Sequence, residues 1–301
     1  MVHHKSMENS QQDIKSFWNK NPVGTNFIDG ELSKDFFHKY DTFRYQTESH
    51  ILKELDALDL KEKKVLEIGL GQGADSMQLI KRGAQFYGID LTEESVHRIK
   101  KRFELFEIPY REVSVANARE IPYEDDFFDV VYSHGVIHHS PQIDEITAEI
   151  HRVLRPGGQA VIMLYHKSSF NYHVSIKLLR RMGLFLIFLF PFLVKIVSKL
   201  TGEGVARIEK HIVNFKKSGL GYLKMKNFIH KSTDGPDNVY SSVWTKKTSR
   251  KLLKDFEVED FRVHFLNERH LMGLQKLLSA KRKRKIESRY GWHLWVFARK
   301  H

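Results

Sequence analysis

Short apolar runs rich in β-branched and aromatic residues alternate along this chain with stretches whose apolar positions recur every three or four residues. That alternation is the signature of strands joined by crossover helices. The runs predict strands near 64–68, 85–89, 111–115, 128–133 and 159–165, with two closing strands near 256–264 and 292–299. Between them the spacing predicts helices over 74–82, 93–106 and 142–153. The last of these runs into "RPGG" at 155–158, where proline cannot continue a helix and the glycines permit a turn into the next strand. The fold class that follows is α/β, a doubly wound and mostly parallel sheet covered by helices.

Residues 166–245 interrupt the rhythm. They fall after the fifth strand and before the helical "SRKLLKDF", so they read as an inserted cap. The expected organisation is an N-terminal helical lid over 1–60, a core over 61–165, the cap over 166–245 and a C-terminal part of the sheet over 246–301. Within the cap, "MGLFLIFLFPFLV" at 182–194 is 13 residues long without a charge and is flanked by Arg180, Arg181, Lys195 and Lys199. A bilayer-spanning helix needs about 20 apolar residues, and Pro191 divides this run further. Two fates remain open: burial as the roof of an apolar pocket, or a helix lying in the headgroups of an anionic membrane.

Charge sharpens that second possibility. The formal net charge is +12, and Lys177 to Lys231 holds twelve Lys or Arg against Glu203 and Glu209, so this stretch alone carries +10. Such a local field favours an anionic partner or is simply a solvated basic face. There is no cysteine, which excludes disulfides, thiolate nucleophiles and Cys-ligated metal centres. The first residues lack the apolar core of a secretory signal, so the expected location is the cytoplasm, with peripheral membrane contact open.

The chemistry concentrates in "VLEIGLGQGADSMQLIKRGAQFYGID" at 65–90. A strand ending at Ile68 turns through Gly69, Gly71 and Gly73 into a helix, so a ligand can approach bare main chain near helix-terminal N–H groups. Asp90 closes the second strand, where a carboxylate can accept both hydroxyls of a ribose. "GLGQGA" fits a dinucleotide and S-adenosylmethionine equally. Glu67 tips the choice, because a carboxylate two residues before the first glycine repels a pyrophosphate and welcomes an amino group or a sulfonium.

With "EIGLGQG", "GID", "NAREIPYEDDFFDVV", "HGVIHH" and "RVLRPGG" in this order between about 40 and 165, the chain resembles the class I S-adenosylmethionine-dependent methyltransferases of the type 11 group. The resemblance implies a seven-stranded Rossmann-like sheet in the order 3-2-1-4-5-7-6 with an antiparallel seventh strand, and S-adenosyl-L-methionine as cofactor. It also implies roles. Gly69, Gly71 and Gly73 would pass under the methionine and ribose, Glu67 would organise the amino end, and Asp90 would hold the ribose. Leu91 would pack on the adenine, Asn117 and Ala118 would read its edge, and Ser133, His134 and Val136 would line the methionine tail. Many relatives place Asp where Asn117 stands, so an amide oxygen replaces a carboxylate here. The segments 17–27 and 40–52 look like a covering lid, in which Phe17 and Trp18 close over the site and Arg44 pairs with the methionine carboxylate.

Methyl transfer from a sulfonium needs mainly positioning and desolvation, and a hydroxyl acceptor can lose its proton to a neutral histidine. His139 is the first candidate, with His138 and His166 beside it and Tyr165 as a weaker one. The loop "TDGPDN" at 233–238 could border the acceptor pocket. No metal is expected, since adjacent histidines diverge and no acidic ligands accompany them. The expected acceptor is a small or medium hydrophobic molecule, a lipid, quinone or secondary metabolite, methylated at oxygen. An anionic membrane surface contacted through 177–231 is the candidate partner. Nucleic acid or protein as substrate is the alternative, drawing on "KRKRK" at 281–285, but "SHGV" after strand four is unlike the Asn/Asp-Pro-Pro-aromatic motif of exocyclic base methylation. A nicotinamide oxidoreductase and a non-catalytic cofactor-binding module with membrane contact are the remaining readings. Nothing in the chain indicates its oligomeric state.

Overall fold

The computed structural model describes residues 2–24, 28, 30–266 and 278–301. The far end of the expected lid segment, 25–27, lies outside the described residues.

The strands β1 (Lys64–Ile68), β2 (Gln85–Asp90), β3 (Glu112–Val115), β4 (Phe128–His134), β5 (Leu154–Tyr165), β6 (Phe256–His264) and β7 (His293–Lys300) form one sheet in the order β3-β2-β1-β4-β5-β7-β6. The first five run parallel, and β7 pairs antiparallel with both β5 and β6. This is the order the resemblance implied. The central strand β1 is buried on both faces because its residues alternate between two apolar layers. Leu66 and Ile68 join one cluster with Val131, Ile162 and Ile150, and Val65 joins the other with Phe86, Val130 and Trp295.

Three helices pack on this sheet where the apolar spacing placed them: α4 (Ala74–Lys81), α5 (Glu93–Phe106) and α6 (Ile143–Val153). In α6 the buried Ile143, Ile146, Ile150 and Val153 trace one face. Before the sheet come α1 (Val2–Lys20), α2 (Lys34–Thr47) and α3 (His50–Asp56). The chain does not turn cleanly at Arg155–Gly158. It stays in β5, where Leu154 pairs with Phe128 and the register shifts before Gln159 meets Val130, and Gly157 absorbs the bulge with φ of 74°.

Beyond β5, a π-helical stretch (Asn171–Arg180) runs into α7 (Arg181–Leu189), followed by α8 (Leu193–Thr201), α9 (Val205–Ser218), α10 (Met225–Thr233) and α11 (Lys246–Leu252). Helix α12 (Ala280–Tyr290) precedes β7. The apolar run at 182–194 is therefore two helices, broken at Phe190–Phe192 around Pro191. Its inward side chains Leu184, Ile187 and Val194 are buried against Ile208 and Phe215 of α9 and their neighbours. No described helix is long and apolar enough to cross a membrane.

Candidate active site

At the carboxyl ends of β1, β2, β4 and β5 lies a cavity of about 260 Å³. That is where an open α/β sheet places its ligands. Its floor is the turn between β1 and α4, in which Gly69, Gly71 and Gly73 all take positive φ, of 85°, 52° and 73°. A side chain at Gly69 is excluded twice over, since its Cβ would stand 2.2 Å from Val136 Cγ2. Gly69 and Gly71 line the cavity, whereas Gly73 caps α4 against Ile99 and Arg102.

Two acids bracket the floor. Glu67 is buried, accepts a hydrogen bond from the Ser76 hydroxyl, and has its pKa pushed well above the usual carboxylate range by burial and by the negative charge of Asp75. A cationic group arriving beside it would relieve that strain, so the residues present fit an amino-bearing sulfonium. Asp90 is fixed from three sides: Oδ2 accepts the Leu70 N–H at 2.8 Å, and Oδ1 accepts the Thr92 N–H at 2.9 Å and its hydroxyl at 2.7 Å. Each carboxylate oxygen keeps acceptor capacity for a further hydroxyl. Leu91, Asn117 and Ala118 line the same end. The Asn117 amide oxygen accepts the Arg119 N–H at 3.1 Å, so it also shapes its own turn.

The opposite end holds a network that sequence reasoning missed. Asp75, in the first turn of α4, accepts from Arg44 Nε at 3.0 Å and Nη2 at 2.6 Å, from the Tyr132 hydroxyl at 3.0 Å and from the Tyr45 hydroxyl at 3.1 Å. Burial would raise its pKa, but the charge and forked hydrogen bonds of Arg44 outweigh it and hold the carboxyl below its ordinary range. Arg44 does line the cavity, yet two of its donors are committed to Asp75, and Glu48 stands 3.5 Å from Nη1. The available signal was an acid directly after the glycine turn, at a helix N-terminus.

His134 and Val136 also line the cavity, as does His139. Ser133 does not: it points between strands and donates to the Ile68 carbonyl at 3.2 Å. His134 meets His50 and His293, with His50 Nε2 3.1 Å from His293 Nδ1. The Arg44 guanidinium 3.3 Å from His134 Nδ1 opposes a cation there. Burial, followed by the Arg44 charge, lowers the His134 pKa to about 3 and keeps the ring neutral.

The three histidines expected to act as bases separate. His139 is the one that faces the cavity, and the other two placements need correction. His138 is fully buried beneath Tyr165, ring centroids 4.0 Å apart, and is held neutral by burial and by its histidine neighbours. His166 is tied through Nδ1 to the Gly291 carbonyl at 3.0 Å and lies away from the cavity lining. His139 Nδ1 lies 2.9 Å from the Tyr240 carbonyl, which can only accept, and 3.1 Å from the Ser241 hydroxyl; the tautomer that satisfies the carbonyl puts the proton on Nδ1 and leaves the Nε2 lone pair free. Nε2 is buried without a hydrogen-bond partner, 3.7 Å from Asp234 Oδ2. Asp234, from the 233–238 turn, lines the cavity and accepts the Tyr165 hydroxyl at 2.9 Å. Tyr165 is no base: burial and Asp234 push its pKa well above the phenolic range.

Helix α1 covers the opening. Trp18 lines the cavity with its ring 5.1 Å from that of His139, and Phe17 packs edge-on behind it at 5.1 Å. The helix is latched by Lys15 and Asn19 to Glu93 at the start of α5. None of residues 182–194 lines the cavity, so the apolar cap helices do not roof it.

Residues 66–162 match the family described as methyltransferase domain, the type 11 group. The chain is 35% identical over 103 residues to a phthiotriol/phenolphthiotriol dimycocerosates methyltransferase of Mycobacterium tuberculosis, covering 34% of this chain and 37% of that one. It is 31% identical over 102 residues to a fatty-acid O-methyltransferase of Mycolicibacterium smegmatis, covering 33% and 36%. The chain thus spans less than half the length of these curated relatives. Among solved structures, the [4+2]-cyclase SpnF superimposes with a TM-score of 0.53 at 16% identity over 97% of this chain and 96% of its own. That likeness shows the fold alone.

Proposed function

We propose that this chain, a member of the type 11 methyltransferase family through residues 66–162, transfers the methyl group of S-adenosylmethionine to a hydroxyl or carboxyl oxygen of a hydrophobic molecule. The observation that carries the reading is a single cavity: it brings together the bare glycine turn, the buried Glu67, the fixed Asp90 and the unpartnered Nε2 of His139. S-adenosylmethionine, when bound, supplies a methyl group already activated by its sulfonium. The protein's own contribution is to bind, orient and dry the site. Glu67 holds the amino end, Asp90 the ribose, and Leu91, Asn117 and Ala118 the adenine.

At the other end, the acceptor's hydroxyl proton passes to His139 Nε2. Tyr240 holds the ring in the tautomer that can take it, and the Asp234 carboxylate at 3.7 Å stabilises the resulting imidazolium. For an acceptor presented as a carboxylate there is no proton to remove, and His139 then only positions the oxygen. Trp18 and Ile14 from α1, with Val136, Ile146 and Met163 from the core, make the walls apolar, which suits a lipid, a quinone or a secondary metabolite. A fatty-acid O-methyltransferase among the relatives supports oxygen as the acceptor atom.

Incubation with methyl-labelled S-adenosylmethionine and a lipid extract tests this. Label is expected in an organic-soluble product, alkali-labile if a carboxyl was methylated to an ester and alkali-stable if a hydroxyl was methylated to an ether. Label only in protein or nucleic acid would overturn the acceptor class. A calorimetric preference for a nicotinamide dinucleotide would overturn the cofactor.

A further inference from the structure

The helices α7 and α8 expose what soluble proteins hide. Met182, Leu186 and Leu189 stand at i, i+4 and i+7 along α7, and each is 45–54% exposed. Phe192, Ile196 and Leu200 stand at i, i+4 and i+8 through α8, at 71%, 49% and 79%. Each helix thus has a solvent-facing apolar stripe opposite the stripe it buries against α9. The two meet at the Phe190–Pro191–Phe192 break, where the phenylalanine rings lie 6.2 Å apart. A surface of this kind marks an interaction site.

Charge identifies the partner. No acid occurs between Glu149 and Glu203, whereas Lys177, Arg181, Lys195 and Lys199 fall within or just before the two helices, and Arg180 is bonded to Ser175 and the Ser232 carbonyl. Lys195 and Lys199 are exposed beside Ile196 and Leu200 and have no ion-pair partner among the described residues. Glu203, the first acid reached, is already paired with Arg207 at 2.9 Å. Apolar side chains that need a dry medium, rimmed by lysines that need anions, describe the boundary between acyl chains and anionic headgroups. A protein partner would need a matching apolar surface ringed with acids, and a second copy of this chain would set these lysines against one another.

We propose that the α7–α8 hairpin docks on an anionic lipid bilayer, with the Phe190–Phe192 turn and the exposed faces of both helices at acyl depth and Lys195 and Lys199 at the phosphates. The docking is independent of the methyl-transfer reading: a chain that methylates nothing would still bind there, and so would a methyltransferase of soluble molecules.

Vesicle flotation of the full chain decides it. Vesicles of phosphatidylcholine with one third phosphatidylglycerol are expected to carry the protein up, and phosphatidylcholine alone to bind it at least about thirtyfold more weakly, on the order expected for two or more basic contacts. Phe192→Ser with Leu200→Ser is expected to abolish flotation. Lys195→Gln with Lys199→Gln is expected to weaken binding to the anionic vesicles roughly thirtyfold and to leave binding to neutral ones unchanged. Neither pair touches the cavity, so S-adenosylmethionine affinity and the melting temperature should stay at wild-type values, and the lysine pair keeps the test open should the apolar pair misfold. Flotation indifferent to lipid charge, or no flotation at all, overturns the proposal. So does a dimer in light scattering that the Phe192 and Leu200 substitutions dissociate, because the face would then belong to a second copy.

Discussion

The cavity at the sheet's carboxyl edge and the α7–α8 hairpin break the usual burial rule in opposite senses. In the cavity, carboxylates and imidazoles are taken out of water: Glu67 and Asp75 are 3% and 5% exposed and His139 is 5% exposed. On the hairpin, leucines and phenylalanines are left in it. Apart from Asp75, which Arg44 pairs, neither arrangement serves stability. A buried acid costs free energy unless it is paired, and an exposed Phe192 forgoes the gain of burial. Sites where local rules fail against a fold that otherwise obeys them are where function is expected. The comparison also assigns different work: the cavity must hold geometry, while the hairpin must only offer area and charge.

The sharpest way to break the comparison is to remove chemistry while keeping geometry. His139→Asn leaves an amide Nδ2 that can still donate to the Tyr240 carbonyl, as Nδ1 does now, but it deletes the Nε2 lone pair. For a hydroxyl acceptor, kcat is expected to fall by about 10²–10⁴, with S-adenosylmethionine affinity unchanged by calorimetry. A loss confined to KM would mean that His139 only shapes the pocket.

Next in size is the inward face of the hairpin. Ile187 is 3% exposed and packs with Val194 and Ile208. Ile187→Ala is expected to cost about 3 kcal/mol, read as a lower denaturant midpoint. A negligible cost would show that residues 171–201 are loosely attached to the rest.

A third effect separates the buried polar groups by pH. His50 is buried, and burial together with the field of His134 lowers its pKa to about 2. Its unfolded pKa is near 6.5, so as pH falls below that value the unfolded chain takes up a proton that the folded chain refuses. Stability due to His50 is therefore intact above pH 6.5 and lost below it, by about 2 kcal/mol at pH 5. His138, lowered for the same reason, adds a loss of the same sign. Glu67 acts oppositely: its raised pKa means that stability declines as pH rises from the ordinary carboxylate range toward its folded value. Denaturant melts of wild type and His50→Gln at pH 7 and pH 5 isolate the first effect, and the variant should lose less.

Much of this molecule was legible in the chain. Strand spans and the helices between them follow from alternation and spacing, because a parallel sheet buried on both faces must write both patterns plainly, whereas the sheet order comes from the family resemblance. The glycine turn, Glu67 and Asp90 are legible in the residues themselves, and Leu91, Asn117 and Ala118 through the resemblance; Gly69, Gly71 and these five side chains all line one cavity. What the chain could not show is which side chain wins a contested partner. Arg44 was expected to meet a ligand carboxylate, and Asp75 holds it instead, from a helix 31 residues away. His138, His139 and His166 look alike in a string. They differ only in that Tyr165, the Tyr240 carbonyl and the Gly291 carbonyl happen to lie where they do. Asp234 reaches His139 across more than ninety residues, a pairing that no spacing rule encodes. The apolar run at 182–194 was legible as apolar, but which half faces outward depends on α9.

The smallest expected effect is the one that most sharpens the contrast between the two regions. Phe192 is 71% exposed, so replacing it by serine removes almost no buried contact, and at the start of α8 serine is a favoured helix-capping residue. In lipid-free buffer, Phe192→Ser is expected to change unfolding free energy by no more than about 0.5 kcal/mol, and to leave activity on a water-soluble short-chain acceptor intact. The same change in the cavity wall, Val136→Ser, should act the other way. Val136 packs over Gly69 and closes the cofactor end, so a smaller polar side chain there is expected to weaken S-adenosylmethionine binding by about tenfold, the loss of two buried methyl groups. If instead Phe192→Ser lowers stability by several kcal/mol in the absence of any bilayer, then Phe192 is packed against something in solution. The exposed face of the hairpin would then be part of the fold and not a surface kept for a partner.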